Sequence, residues 1–238
     1  MSQTWIDQTV GQLVLEKPSR SKVFEKVGLD YCCKGHQKLA TACEEKGIEV
    51  SAIVSALEAQ DAHGHEEEDQ RWQASIPVAV DHIVSKHHVF MKEVMPRLDF
   101  LTEKVANVHG HEDPRLKELR AIYLQFQAET YGHLEKEERI LFPMCVALAE
   151  GRAGAAGGCH MSVQMPIAQM MHEHEGHGAN LERFRELTDN FVPVAHACNS
   201  WRAMLAALEE MEQDLHRHIH KENSWLFPTA VALEEAKA

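Results

Sequence analysis

The chain has 238 residues, enough for one core of about 150 residues and a smaller second domain. Its formal net charge of −13 would repel phosphates, so we expect no nucleic acid partner and no binding to acidic membrane surfaces. There is no apolar run of about 18 residues and no signal-peptide pattern, and the six cysteines lack the even spacing of a secreted disulfide scaffold. A cytoplasmic, mostly α-helical protein with reduced thiols is predicted.

Residues 1–60 are predicted to form a small helical domain. Apolar residues recur at helical spacing between Val23 and Val27 and between Ile48 and Leu57, and proline and glycine residues separate these runs. Residues 61–72 follow as a polar, charged stretch without periodicity, which is typical of a linker. Two histidines in it, His63 and His65, could bind stray metal, but a solvated linker is the preferred interpretation.

Residues 73–238 are predicted to form a four-helix bundle. Four segments carry apolar residues at alternating steps of three and four, which places those residues on one face of a helix. The glycine-rich stretch 151–158 between the second and third segments is predicted to be a loop. The four stripes run over residues 80–105, 116–144, 163–185 and 201–229. Helices of roughly 25 to 30 residues, rising about 1.5 Å per residue, would give a bundle about 40 Å long.

The second and fourth segments contain the same sequence pattern. Residues 133–143 and 218–228 share H-x-x-K-E-x-x-x-L-F-P, and the two copies lie 85 positions apart. One helix earlier in each half, a stripe histidine occurs, His88 and then His174, and these are 86 positions apart. The bundle is therefore predicted to be a duplicated helix pair.

The repeat predicts a buried metal centre. Residues four apart lie on one helix face, so each copy presents an imidazole and a carboxylate at the same level of the core. A buried unpaired carboxylate costs several kcal/mol, and no lysine or arginine occupies a neighbouring stripe position at this level, so a multivalent cation would resolve the difficulty. One buried histidine is usually a packing residue, but this combination favours ligation. The predicted ligands are His88, His133, Glu137, His174, His218 and Glu222.

The donor set favours two iron ions. Structural zinc prefers four tetrahedral Cys or His ligands, whereas six N/O ligands with two carboxylates able to bridge suit a di-iron pair, and manganese remains open. The apolar stripe alone slightly favours His87 over His88. The spacing of 45 residues from His88 to His133, close to the 44 from His174 to His218, selects His88 and leaves His87 beside the ligands. Surface or supporting positions are predicted for His172, His177, His216 and His220.

With these motifs, the chain resembles the hemerythrin-like di-iron proteins that repair iron-sulfur clusters after nitrosative and oxidative stress. The sequence Asp30-Tyr-Cys-Cys33, followed by Gly35 and Leu39-Ala40, matches the small domain that precedes the bundle in this family. Lys34 stands where the family usually has glycine, and Gly178 stands where the oxygen carriers with the same bundle have a histidine. The resemblance covers nearly the whole chain.

The resemblance implies a site and a function. The six bundle residues would be the iron ligands, with the two glutamates bridging, and Glu129 and Glu173 would line the site. Repair of damaged iron-sulfur proteins would use iron supply or nitric oxide processing at the di-iron centre, and Cys32 and Cys33 would engage the client through exposed thiolates. Composition alone equally allows those cysteines to be small buried residues.

Other functions stay open at this stage. The centre could bind nitric oxide or oxygen as a scavenger or sensor without turnover, or it could reduce nitric oxide catalytically. A ferritin-like iron store is weaker, because no acidic exit channel or cage-forming surface can be recognised. The family also suggests a homodimer.

Overall fold

The computed structural model describes residues 5–62, 70–152 and 162–237, and these residues form helices and turns without a named strand, which confirms the all-α prediction. In chain order the helices are α1 Val10–Glu16, α2 Ser21–Val27, α3 Leu39–Lys46, α4 Val50–Ala62, α5 Ile76–His82, α6 Val89–His109, α7 Arg115–Lys136, α8 Phe142–Ala149, α9 Gln164–Leu187, α10 Asn199–Lys221 and α11 Phe227–Glu235. In the described ranges, no helix has the length and apolar run that a membrane crossing needs. The predictions for His63, His65 and most of the 151–158 loop lie outside the described residues.

The chain divides into two compact units, Met1–Val80 with His216–Ala238, and Asp81–Leu215. The boundary between residues 215 and 216 falls inside the continuous helix α10. In the first unit, the short helices α1 to α4 enclose an apolar core. Fully buried members of this core are Val10, Leu13, Phe24, Leu39 and Leu57.

Both ends of the predicted linker, residues 61–72, are ordered parts of the first unit. Helix α4 continues to Ala62, and Asp61 in its last turn forms an ion pair with the buried Arg20, Nη2 to Oδ2 2.8 Å. Partial burial would raise the pKa of Asp61, but the Arg20 guanidinium lowers it. Trp72 is buried at the other end. The polar composition of the stretch gave no sign of these tertiary contacts.

The second unit contains helices α6 to α9 and most of α10, which belong to the predicted bundle. Helix α6 packs on α7, and α7 packs on α9. Two contacts to buried carboxylates of helix α10 tie that helix to this unit. His87 Nδ1 lies 3.0 Å from Asp214 Oδ1, and Arg185 Nε donates to Glu212 Oε1 at 2.7 Å. The four predicted segments coincide with α5–α6, α7–α8, α9 and α10–α11, so the predicted helical bundle is confirmed.

Three of the long helices widen locally into π turns, at Ile83–His88, Glu137–Leu141 and Glu222–Leu226. In the second of these, the N–H of Phe142 donates to the Glu137 carbonyl five residues earlier. Pro143 follows, which has no N–H and whose ring clashes with the carbonyl four residues before it, so the α-helical pattern cannot continue there. The third π turn repeats this arrangement. The L-F-P end of the repeat thus accounts for a wider turn directly after the glutamate.

Candidate metal centre

Four of the predicted ligands lie in the second unit, and their donor atoms converge. His88 ends the first π turn, His133 lies in the last turn of α7, Glu137 opens the second π turn, and His174 lies in α9. The Glu137 carboxylate is 3.4 Å from His88 Nε2 and 3.3 Å from His133 Nε2. The Nε2 atoms of His133 and His174 are 3.1 Å apart. All four side chains are at most 2% exposed, so this polar group is enclosed by the core.

The second copy of the repeat forms the matching pair in α10 and the third π turn. His218 Nε2 lies 3.0 Å from Glu222 Oε1, and both side chains are fully buried. His218 is in α10, and Glu222 opens the π turn as Glu137 does in the first copy. The repeat therefore gives the same local geometry twice.

Donor atoms of the six residues form two groups, and within each group all donor atoms lie within 4.8 Å of one another. One group is His88, Glu137, His218 and Glu222, and the other is His133, Glu137, His174 and Glu222. Both glutamates belong to both groups, while each group has its own two imidazoles. Carboxylates can bridge two cations, and a mixed imidazole and carboxylate set is one that iron accepts. The clusters fit a di-iron site.

Two imidazoles are oriented by carboxylates behind them. His88 Nδ1 lies 2.8 Å from Glu138 Oε1, and His133 Nδ1 lies 2.9 Å from Glu173 Oε2. A carboxylate at Nδ1 favours the tautomer with its proton there, which leaves the Nε2 lone pair directed into the group of donors. This pairing is typical of metal-binding histidines.

These two carboxylates are held in the ionised form. Partial burial by itself would raise the pKa of each, but hydrogen bonds from a lysine and from the histidine, and at Glu173 also from Gln169, outweigh burial. The pKa of Glu138 is lowered, and that of Glu173 falls to about 2. The lysines are Lys92 and Lys136. Both carboxylates are therefore ionised at neutral pH and can accept a hydrogen bond from an Nδ1–H group.

The structure separates the adjacent histidines of the first helix. Both His87 and His88 are fully buried, but only His88 enters a donor group, while His87 Nδ1 contacts Asp214 at 3.0 and 3.1 Å. The π turn ending at His88 contains an extra residue and shifts the helical register by one position. A periodicity of 3.6 residues therefore favours His87, whereas the spacing of the repeat selects His88.

Of the two predicted supporting carboxylates, the structure brings only Glu173 to the site. Glu129 is exposed and accepts a hydrogen bond from Gln125 at 2.8 Å. Glu138, which the sequence analysis did not select, takes the supporting position at His88.

Comparison with known proteins agrees with both parts of the chain. The hemerythrin HHE cation binding domain matches residues 79–230, and ScdA_N, a domain of unknown function (DUF542), matches residues 6–61. The iron-sulfur cluster repair protein YtfE of Citrobacter koseri is 38% identical over 228 residues, covering 96% of this chain and 98% of the relative. The YtfE protein of Yersinia pseudotuberculosis is 35% identical over 226 residues, covering 94% and 97%. A probable iron-sulfur cluster repair protein of Haemophilus influenzae is 34% identical, with the same coverage.

The chain belongs to the iron-sulfur cluster repair protein family. The predicted resemblance is confirmed over nearly the whole chain, including the small domain before the bundle. In this member of the repair family, the residues at 30–35, called here the dicysteine segment, form a turn ordered by Asp30. Its carboxylate accepts the N–H groups of Cys32 at 3.0 Å and Cys33 at 2.8 Å. A Cβ at Gly35 would lie 2.6 Å from the Tyr31 carbonyl oxygen, so the tight turn needs its glycine at 35, and Lys34 is tolerated.

The expectation of two exposed thiolates in this repair-family chain is wrong for Cys32. Cys32 is 2% exposed, and burial, together with the neighbouring Cys33 and Asp30, raises the pKa of its thiol. Cys33 is half-buried, with its Sγ 3.7 Å from that of Cys32. The Asp30, Cys32 and Cys33 donor atoms also form a third group within 4.8 Å. The more accessible thiol is therefore Cys33.

The end of helix α10 and the third π turn contact the dicysteine segment and the adjoining α1 within the first unit. Asn223 Nδ2 donates to the Cys32 carbonyl at 3.2 Å, and the His220 Nε2–H donates to the Gly11 carbonyl at 2.9 Å. The Tyr31 ring meets the His220 ring edge-on at 5.4 Å. Asn223 occupies the position that Glu138 has in the first copy. The two copies of the repeat thus use the residue after the shared glutamate differently, once to orient an imidazole and once to hold the cysteine-bearing turn.

Replacing the orienting carboxylates is expected to weaken metal binding without removing a ligand. Glu138→Gln and Glu173→Gln should each lower iron affinity by about 10- to 100-fold, because the imidazole loses its charged acceptor. Competition with a chelator, monitored by the absorption of the bound iron, measures the iron affinity. Glu129→Gln is the matched control and should behave as wild type. Equal effects of all three substitutions would show that surface charge, and not imidazole orientation, is responsible.

Proposed function

We propose that this chain repairs iron-sulfur clusters damaged by nitrosative or oxidative stress, using two iron ions held by the six clustered residues. The observation that carries the proposal is the sharing of two buried glutamates, Glu137 and Glu222, between two pairs of histidines. This arrangement occurs in a chain whose relatives are named for cluster repair. Iron is the ion that a repair protein of this kind would handle, which favours iron over zinc or manganese.

The protein's own residues would hold and shield the metals. Glu137 and Glu222 would be shared by the two ions, and each ion would be held by two histidines of its own. Bound iron would supply redox chemistry and a position for a small ligand such as nitric oxide or oxygen. Gly178, four residues after His174, has no side chain to fill such a position. The buried setting would keep the ligand away from bulk water.

The organisation supports a division of tasks. We propose residues 1–60 as the client-binding domain, 61–72 as its connection and 73–238 as the di-iron bundle, in a cytoplasmic protein that forms homodimers. Damaged iron-sulfur proteins would be the partners. The half-buried Cys33 is the thiol of the dicysteine segment best placed to meet a client.

The test is recovery of a nitric oxide-damaged enzyme that depends on a [4Fe–4S] cluster, under anaerobic conditions. The iron-loaded chain should restore the activity of the damaged enzyme much faster than the metal-free chain with an equal amount of free ferrous iron. Nitrous oxide is measured in the same vessel. Nitric oxide uptake without recovery of the enzyme would favour a scavenger or sensor function over repair. Recovery no faster than with free ferrous iron would exclude the repair function.

A further inference from the structure

A second reactive group lies at the far end of helix α6, within the second unit. Cys198 directly precedes α10 and is exposed. Its Sγ lies 3.3 Å from His109 Nε2, and His109 Nδ1 lies 3.4 Å from Glu112 Oε2. A thiol, an imidazole and a carboxylate are thus connected in a line. His109 is 21 residues beyond His88 in the same helical segment, about 30 Å away, so the group is separate from the metal centre.

Two features favour the thiolate form of Cys198. It occupies the N-terminus of the 23-residue helix α10, where the N–H groups of Trp201 and Ser200 donate to the sulfur. Its pKa is lowered, mainly by the Trp201 N–H, with a further contribution from His109. The pKa of His109 is raised in turn, first by Cys198 and then by Glu112. Both directions are those of a thiolate–imidazolium pair.

An open cavity of about 620 Å³ adjoins this group. Trp201 belongs both to the cavity wall and to the surroundings of the thiol, because its ring lies 5.1 Å from that of His109. Glu112 also lines the cavity and contacts His109. The complete lining is Glu112, Asp113, Arg115, Val194, His196 and Trp201. Such a mixture of acidic, basic and aromatic side chains accommodates a small polar molecule against Glu112 and Trp201, the two lining residues that contact His109.

We propose that Cys198, His109 and Glu112 form a nucleophilic thiol site that exchanges with small disulfides entering through this cavity. The Cys198 thiolate attacks one sulfur of the disulfide, a new S–S bond forms, and the S–S bond of the small molecule breaks. The departing thiolate takes its proton from the His109 imidazolium, which becomes neutral. Glu112 is a positioning residue that orients the imidazole. This inference is independent of the metal centre and of cluster repair.

The test uses the full, iron-loaded chain under anaerobic conditions, with 2-hydroxyethyl disulfide as the probe. At about pH 6 an ordinary thiol is almost wholly protonated, so a paired thiolate should stand out. Intact-mass and peptide analysis should show modification of Cys198 before Cys33, Cys43 and Cys145. His109→Asn should slow this reaction about threefold or more, and Cys198→Ser should abolish the fast phase.

Matched controls make the result decisive. His172→Asn, at an exposed histidine on α9, should react as wild type, and iron content should be unchanged in every variant. Glu112→Gln should shift the midpoint of the pH profile for iodoacetamide alkylation of Cys198 upward. The proposal is overturned if Cys198 in the folded chain reacts no faster than in the urea-unfolded chain, or if His109→Asn leaves the rate unchanged. It is also overturned if iodoacetamide modifies Cys198 while the disulfide does not.

Discussion

Glu137→Gln and Glu222→Gln are each expected to lose most of the bound iron, and each should also raise the melting temperature of the metal-free chain. Each glutamate belongs to both donor groups, so its loss weakens two metal sites at once. Without metal, the same two carboxylates are buried and close together, and neutralising one relieves their repulsion, by roughly 1 to 3 kcal/mol. Iron analysis per chain and thermal unfolding with and without iron measure the two effects.

The controls for this prediction lie next to the centre and outside it. His87→Ala removes a buried imidazole that contacts Asp214, so the metal-free chain should lose stability while most iron binding persists. His88→Ala should lose much more iron. Similar iron loss in His87→Ala and His88→Ala would show that the assignment of His88 rather than His87 as the ligand is wrong. A metal-free chain destabilised by Glu137→Gln would mean that the carboxylate is a structural group in its own right.

Replacing Cys32 and Cys33 together by serine is expected to leave the iron content close to that of wild type and to slow cluster repair strongly. The six clustered donor residues include neither cysteine. Asn223 holds the dicysteine segment through the Cys32 backbone carbonyl, which serine retains. The turn itself depends on backbone N–H groups and on Asp30, so it should also persist. Recovery of a nitric oxide-damaged enzyme and iron analysis on one preparation measure both properties.

Asn223→Ala separates the position of the cysteines from their chemistry. It keeps both thiols but removes the hydrogen bond that fixes the segment to the third π turn, so repair should slow less than in the double serine variant. Cys43→Ser, at a buried cysteine outside the segment, serves as the control and should repair normally. Full repair by the double serine variant would remove the thiols from the mechanism. Loss of iron from it would assign the segment a structural role at the bundle.

Patterns within the sequence were sufficient to predict the helical class, the duplicated pattern and the six residues that the structure brings together. These follow from local rules, because residues four apart share a helix face and a buried carboxylate needs a compensating charge. The L-F-P ending also favours the second and third π turns, since proline has no N–H to donate to the carbonyl four residues earlier. The spacing of the repeat selects His88, because the spacing counts the extra residue of the first π turn. A fixed helical period does not count that residue.

The side chains that support the ligands and the accessibility of the thiols depend on packing between elements. Glu129 and Glu138 are alike as sequence, and only the packing of neighbouring helices puts Glu138 at an imidazole and leaves Glu129 in solvent. Cys32 and Cys33 were predicted to be two exposed thiolates. In the folded chain Cys32 is buried, and burial raises the pKa of its thiol. Cys198 and His109 are 89 residues apart in the sequence. They are in contact because the start of α10 lies beside the end of α6. Helical periodicity fixes the face on which a residue lies, but partners on other elements depend on long-range packing that no local pattern encodes.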